Sequence, residues 1–240
     1  MTLADANAED KGGSAGSHLG VDGEGLLGDR GKTGTGDDVP GIAESGEGKA
    51  WRILKTLKPE GVCGNASVAF DHAPGCYLVK SYGMDFAVSL PDKSITSQSA
   101  GSDVLLERLG GFLRLSLLWY LVKIKEIACT GRLVKLQQVK GGEAFSRGSH
   151  VLPLEKVALK YGANKAGFLE RGGMLGGEEV KLADAAVRLH PLPRIPVVVT
   201  LWLGDAEFPA RADILFDSTC ELQLPTDVLW SIAMMTLLIL

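Results

Sequence analysis

The stretch from Pro191 to Asp217 constrains this chain more than any other. It runs Pro-Leu-Pro-Arg-Ile-Pro to residue 196, then Val-Val-Val-Thr-Leu-Trp-Leu to residue 203. An acidic turn with Asp205 and Glu207 follows, then Arg-Ala-Asp-Ile-Leu-Phe-Asp to residue 217. Val197 to Leu203 leaves almost no polar position. An apolar run this short and this rich in β-branched residues predicts a strand covered on both faces. A second strand, about Ala212 to Phe216, is bounded by Pro209 and by Asp217, Ser218 and Thr219. Antiparallel pairing of the two places Asp205 and Glu207 on one hairpin loop. It places Asp217 a full strand away, beside the start of the first strand and near Arg194. A helix is expected from about Pro225.

The composition is uneven along the chain. Residues 1–48 hold 13 of the 31 glycines, no Phe, Trp or Tyr, and ten acids against three bases. Such a stretch buries too little apolar surface to offset its ordering entropy, so it is read as a disordered acidic tail. Residues 49–240 are read as a single domain. They carry 22 bases and 19 acids, a near balance that gives no nucleic-acid footprint. Two glycine patterns in the tail imitate phosphate-binding motifs. Gly23 to Gly28 spells G-x-G-x-x-G, but no strand precedes it. Gly31-Lys32-Thr33 resembles the end of a P-loop whose first glycine would fall on Leu26. Both are read as linker. The N-terminus has no basic start followed by an apolar run, hence no signal peptide. Cys63, Cys76, Cys129 and Cys220 are too scattered for a disulfide framework, and neither apolar helix candidate reaches the roughly 20 residues of a membrane span. A cytoplasmic protein is expected.

The remaining elements follow from periodicity and punctuation. Trp51 to Leu57 predicts a short helix ended by Pro59 and Gly61. Tyr77 to Lys80, and then Met84, Phe86, Val88 and Leu90 alternating with polar or small residues, predict an antiparallel meander turning at Gly83. Ser102 is placed to cap a helix over Val104 to Leu109, which Gly110-Gly111 interrupts. A second helix, Phe112 to about Ala128, is apolar on nearly every side and so is expected between layers. Arg132 to Val139 reads as a strand. Pro153 opens a helix from Leu154 to Tyr161 that Gly162 is expected to end in left-handed conformation. The segment around Phe168, Met174 and Leu175 is too glycine-broken to assign. Leu182 to Leu189 is a helix or strand, and Pro191, Pro193 and Pro196 exclude helix after it. The pattern as a whole predicts an α+β fold, with an antiparallel or mixed sheet and helices mainly on one face.

Trp202-Leu-Gly-Asp-Ala-Glu-Phe-Pro209, with Ile214-Leu-Phe-Asp217, Leu224-Pro225 and Pro193-Arg-Ile-Pro196, resembles the C-terminal signature of an uncharacterised prokaryotic family, domain of unknown function 3786. Weaker matches run through Trp119-Tyr120-Leu121, Gly141-Gly142 and Leu175-Gly176-Gly177, so the resemblance covers roughly residues 65–240. It implies relatives in anaerobic prokaryotes, some with an added cysteine-rich iron–sulfur segment. This chain has no CxxC, so it is not expected to bind a cluster alone. The family brings no activity to carry over.

The best cluster of chemistry-bearing residues is His190, Arg194, Asp205, Glu207, Asp217 and Cys220. Arg194, Asp205, Glu207 and Asp217 are the candidate binding residues. Arg194 with Asp217 is the favoured pair, against a plain reading in which it is a structural salt bridge and Asp205 and Glu207 shape the turn. Cys63, His72 and Cys76 lack a usual zinc spacing, no Gly-x-Ser-x-Gly is present, and His150 stands in a polar loop. No metal site is expected, and no residue pattern names a cofactor. Beyond Asp227 the last thirteen residues carry no charge, more apolar cover than a helix resting on one side of a sheet needs. Trp230, Met235 and Leu238 are therefore the candidate interface, for a protein partner or a homodimer. The leading expectation is a non-catalytic module that binds a partner protein, or a cofactor carried by one, in anaerobic metabolism. The alternative is a small enzyme working on an anionic small molecule through Arg194 with Asp217, or Asp205 with Glu207. Carboxylates converging in a pocket favour the enzyme; dispersed carboxylates beside an exposed apolar groove favour the module.

Overall fold

A computed structural model describes residues 45–146 and 148–240. The tail and its two glycine patterns lie outside the described residues. Ser45 accepts a hydrogen bond from the Gly48 amide at 3.1 Å and caps α1 (Gly46–Leu54). This helix begins and ends earlier than the sequence predicts, burying Ala50, Trp51 and Leu54. Pro59 does not merely terminate it but opens a second helix, α2 (Pro59–Ala66). Proline's missing N–H costs nothing in a first turn.

The meander is present as β1 (Ala69–Asp71), β2 (Cys76–Ser81), β3 (Met84–Ser89) and β4 (Ser94–Thr96), antiparallel in that order. Tyr77 pairs with Val88 and Val79 with Phe86 on its buried face. The β2–β3 turn has two residues, Tyr82 and Gly83, both at positive φ (48° and 76°), as a right-twisting two-residue hairpin demands. A tyrosine is an unusual occupant there.

The helix expected after Ser102 is a π-type turn (Val104–Arg108). Gly110-Gly111 do not separate two helices but form the first turn of α3 (Gly110–Lys123). The strand expected over Arg132 to Val139 shrinks to β5 (Leu133–Val134), followed by a 3₁₀ turn at Leu136–Gln138. Helix α4 (Leu154–Tyr161) matches its expectation. Gly162 does not: its φ is −60°, and a Cβ there would come within 2.3 Å of the Ala210 Cβ. Close packing, not a left-handed turn, requires that glycine. The unassigned glycine-broken segment is α5 (Lys165–Met174), capped by Asn164.

The second sheet, also antiparallel, contains β5, β6 (Glu178–Glu179), β7 (Ala185–Leu192), β8 (Ile195–Trp202) and β9 (Arg211–Asp217), in the order β5-β9-β8-β7-β6. As expected, β8 is buried on both faces from Val197 to Leu201. Val187, Leu189, Val197, Val199, Leu201, Ile214 and Phe216 of this sheet join the common core, with α4 packed on β9 and α5 on β7. A short helix, α6 (Cys220–Gln223), leads to α7 (Thr226–Ile239).

Helix α7 packs on α3, α4 and the π-type turn, and α1 covers α3 in turn. Met235 is 0% exposed and Trp230 and Leu238 are partly buried against the core. The sequence expectation of an outer α7 face carrying Met235 is therefore corrected: the chain supplies that cover itself. Thr236 and Ser231 bond back to the Ile232 and Asp227 carbonyls. Arg171 donates to the Ile239 carbonyl (3.0 and 2.6 Å), and Lys160 and Tyr161 donate to Leu240, so two cations and a neutral hydroxyl satisfy the last turn. Among the described residues, no helix is long and apolar enough to cross a membrane.

Two substitutions separate core from rim on α7. Met235→Ala is expected to destabilise by about 2–5 kcal/mol, and Leu238→Ala by clearly less, because the Leu238 site is only partly desolvated. Urea melts of the two variants measure the difference. Tyr82→Phe removes the hydrogen bond between Tyr82 and Thr236 (2.7 Å) and is expected to cost about 1 kcal/mol in the same assay.

Candidate functional site

The β8–β9 hairpin has two chemically different ends, as antiparallel pairing predicts: Trp202 pairs with Arg211 at one and Val197 with Phe216 at the other. The eight-residue loop from Leu203 to Ala210 forms the tip. Asp205 organises it. Its Oδ1 accepts the amides of Phe208 (2.7 Å) and Glu207 (2.8 Å), and its own amide donates to the Phe208 carbonyl. Those amide bonds, from Phe208 first and Glu207 second, hold its carboxyl below the usual carboxylate range. The Leu203 amide donates to Asp184, just before β7. The Gly204 amide donates to the Gly162 carbonyl at 3.0 Å, fastening the tip to the end of α4.

Fastening the tip there assembles a surface. A cleft of about 500 Å³ lies among Asp184, Trp202, Asp205, Phe208 and Arg211. A second, of about 330 Å³, lies beside Glu155 and Leu159 of α4, and the two share Pro209 and Ala210. Phe208 is 68% exposed and Leu159 is 86% exposed. The Arg211 guanidinium stacks on the Trp202 ring, 4.2 Å from its centroid.

The far end is built differently. Asp217 is buried, and both its oxygens are occupied. The amides of Thr130, Gly131 and Thr219 and the hydroxyls of Thr130 and Thr219 all donate to it. Burial pushes its carboxyl up, but the donors from Thr219, Thr130 and Gly131 outweigh burial and hold it below the ordinary value. The expected pair with Arg194 is replaced by other partners. Arg194 donates to the Gly64 carbonyl at 3.1 Å and lies 3.7 Å from Glu126, while its amide donates to the Tyr120 hydroxyl. Geometry explains the change: the amides of Thr130 and Gly131, and that of Thr219 two residues on, outcompete one long side chain for a short carboxylate. Glu207 is exposed on the tip. The Cys220 thiol is buried, and burial pushes it up to about 12. The Trp230 indole donates to the His150 carbonyl and packs edge-on against Phe112. Asp205 and Asp217 thus stand at opposite ends of the hairpin. Among the described residues no group of three or more His, Cys, Asp or Glu is placed to share a metal ion.

Sequence reasoning passed over Phe208, Leu159, Trp202 and Asp184. One signal was available. Leu154, Val157, Ala158 and Tyr161 face the core side of α4, and Leu159 interrupts its polar side between Lys156 and Lys160. An apolar residue off the stripe is an exposed one.

Asp217→Ala is expected to cost about 3 kcal/mol, because three amides, that of Thr219 buried and those of Thr130 and Gly131 partly so, lose their acceptor; Asp205→Ala, at an exposed loop, costs less. The pH dependence has a definite sign. The native carboxyl of Asp217 is more acidic than its unfolded counterpart at about 3.9, so its stabilisation is complete above that value and disappears as the pH falls through the native one. The stability gap between wild type and Asp217→Asn should stay constant from about pH 5 to 7 and narrow below about pH 4 in urea melts.

No curated protein and no solved structure matches the chain. The model of one family, described as Domain of unknown function (DUF3786), matches residues 58–238. That match spans most of the chain and contains the whole hairpin with both its ends, so the protein is a member of this family, whose function is uncharacterised.

Proposed function

We propose that the protein is a non-catalytic binding module, and that it docks a partner protein through the hairpin tip. The observation that carries the reading is the pairing of two strongly exposed apolar side chains, Phe208 on the tip loop and Leu159 on α4, with the loop fixed to the end of α4 by the Gly204–Gly162 hydrogen bond. Single exposed apolar residues are ordinary; two of this size joined by Pro209 and Ala210 across adjoining clefts mark an interaction surface. The carboxylates support the same reading. Asp205, Asp184 and Asp217 each accept backbone amides, so at least one oxygen of each is engaged in holding a loop. The expected candidates Asp205 and Asp217 also stand at opposite ends of the hairpin rather than converging, the arrangement that favours a module over an enzyme. The docking surface in this reading lies on the tip, since α7 is covered by the chain's own α3. A reducing, cytoplasmic setting belongs to the proposal as well, on the ground that all four cysteines are free thiols.

A photoreactive phenylalanine analogue at position 208 or 159, introduced in cells, tests it. A discrete adduct to one protein species is expected from both positions, and none from position 78, where Leu78 is also exposed but on the other sheet. The same diffuse background at all three positions would sink the reading. Phe208→Ser and Leu159→Ser should each leave folding stability within about 0.5 kcal/mol of wild type, which separates a surface role from a packing role.

A further inference from the structure

The tip surface also indicates what kind of partner it receives, an inference that rests on the docking reading above. Among the described residues its two clefts are lined by more acids than bases, while Lys156 and Lys160 lie on the polar side of α4 around Leu159. Asp184, Asp205, Glu207 and Glu155 are exposed around the two clefts. Asp205 stays ionised at neutral pH, since its amide bonds favour the charged form. Among the described residues Arg211 is the one cation lining the larger cleft, and it lies on an aromatic ring rather than on a carboxylate: its guanidinium covers one face of Trp202. Phe208, largely exposed, lines the same cleft. Aromatic faces next to carboxylates attract organic cations, through the ring quadrupole and through direct charge. The chain therefore already seats one guanidinium on this surface, with its own Arg211.

We propose that the tip binds a segment of the partner protein in which a basic side chain, Arg or Lys, is flanked by apolar residues. The basic group enters the larger cleft between Phe208 and the carboxylates of Asp184 and Asp205. The apolar neighbours lie along Pro209 and Ala210 toward Leu159. Continuity of the two clefts across Pro209 and Ala210 makes the surface longer than one small cation fills. A second copy of this chain is a poor occupant, because an isologous contact brings two acidic rims together. An anionic membrane is repelled by the same rim.

The test uses the full chain and three probes: acetyl-Leu-Arg-Leu-amide, its citrulline twin, which has nearly the same shape without charge, and choline. Binding is read from amide chemical shifts of Gly204, Asp205 and Phe208. The arginine peptide should shift these resonances saturably, and the citrulline twin at least tenfold more weakly. Asp184→Asn, which keeps an acceptor oxygen for the Leu203 amide, should weaken the arginine peptide several-fold. Arg211→Gln should strengthen it, because the competing guanidinium is gone and Trp202 is freed. Equal binding of the arginine and citrulline peptides, or no saturable shift with either, overturns the proposal. Saturation by choline to which the peptide adds nothing assigns the cleft to a small organic cation and overturns it too. Cross-linking from position 208 that persists alongside either result leaves the docking reading standing and removes only the basic partner.

Discussion

A helix with no charge after its first turn has to be covered on all sides, and that requirement on α7 organises the domain. Its apolar residues point in every direction, so no single sheet face suffices. The chain meets this with α3, itself apolar nearly all round, and then covers α3 with the buried Trp51 face of α1. What remains is polar, and it is handled locally. Ser231 and Thr236 turn back on their own helix, while Arg171, Lys160 and Tyr161 reach the final carbonyls. Thr236 does more, because its hydroxyl also meets that of Tyr82 in a fully buried position. Tyr82 sits at positive φ, where a side chain other than glycine costs about 1 kcal/mol. It stays there because its amide bonds the His190 carbonyl of β7 while its hydroxyl bonds α7. One residue in an unfavourable backbone state thereby ties the first sheet, the second sheet and the terminal helix.

Loops in this protein are closed by carboxylates facing amides. Asp205 folds the tip, Asp184 anchors its first residue, and Asp217 gathers the segment before β5 against the end of β9. Each replaces a ladder bond that an irregular backbone lacks. The arrangement accounts for acids where the sequence invites a catalytic reading: an acid with two or three amides on it is geometrically fixed as part of a loop. Tyr120 plays the neutral counterpart. Its hydroxyl donates to the Ala66 carbonyl and accepts the Arg194 amide, and burial, the dominant effect, pushes its ionisation upward.

The legible parts of the fold are those whose cause is local. The β8–β9 hairpin, the alternation of Met84, Phe86 and Val88, and the α4 stripe each carry their period in the residues themselves. Separation of Asp205 from Asp217 was legible too, since antiparallel pairing alone fixes it. What escaped has a non-local cause. Helix α5 contains three glycines, which argue against a helix; yet a Cβ on Gly172 would meet Val187 at 2.5 Å, so the sheet, not helix propensity, selects that residue. Pro59 is read as a stop or a start according to which side the helix lies on. The partner of Asp217 depends on where Thr130 and Gly131 arrive, 87 and 86 residues earlier in the chain. Met235 looked like an outer residue because the sequence shows that α7 needs cover but not that α3 provides it.

The exposed tip has a different standing from these packing effects, because folding gains little from it. Phe208 and Leu159 remain largely in water in the native state, so replacing either with a polar residue forfeits almost no burial. A flexible loop would let the aromatic ring fold back onto apolar surface nearby. Here it has no such freedom: Asp205 holds the amides of Glu207 and Phe208, Gly204 is bonded to Gly162, and Gly162 itself is packed against Ala210. Ordering a loop costs conformational entropy whenever it happens, and a loop ordered before encounter leaves that cost out of binding. The tip therefore combines two properties that stability alone does not select: apolar side chains kept in water, and a backbone that keeps them there.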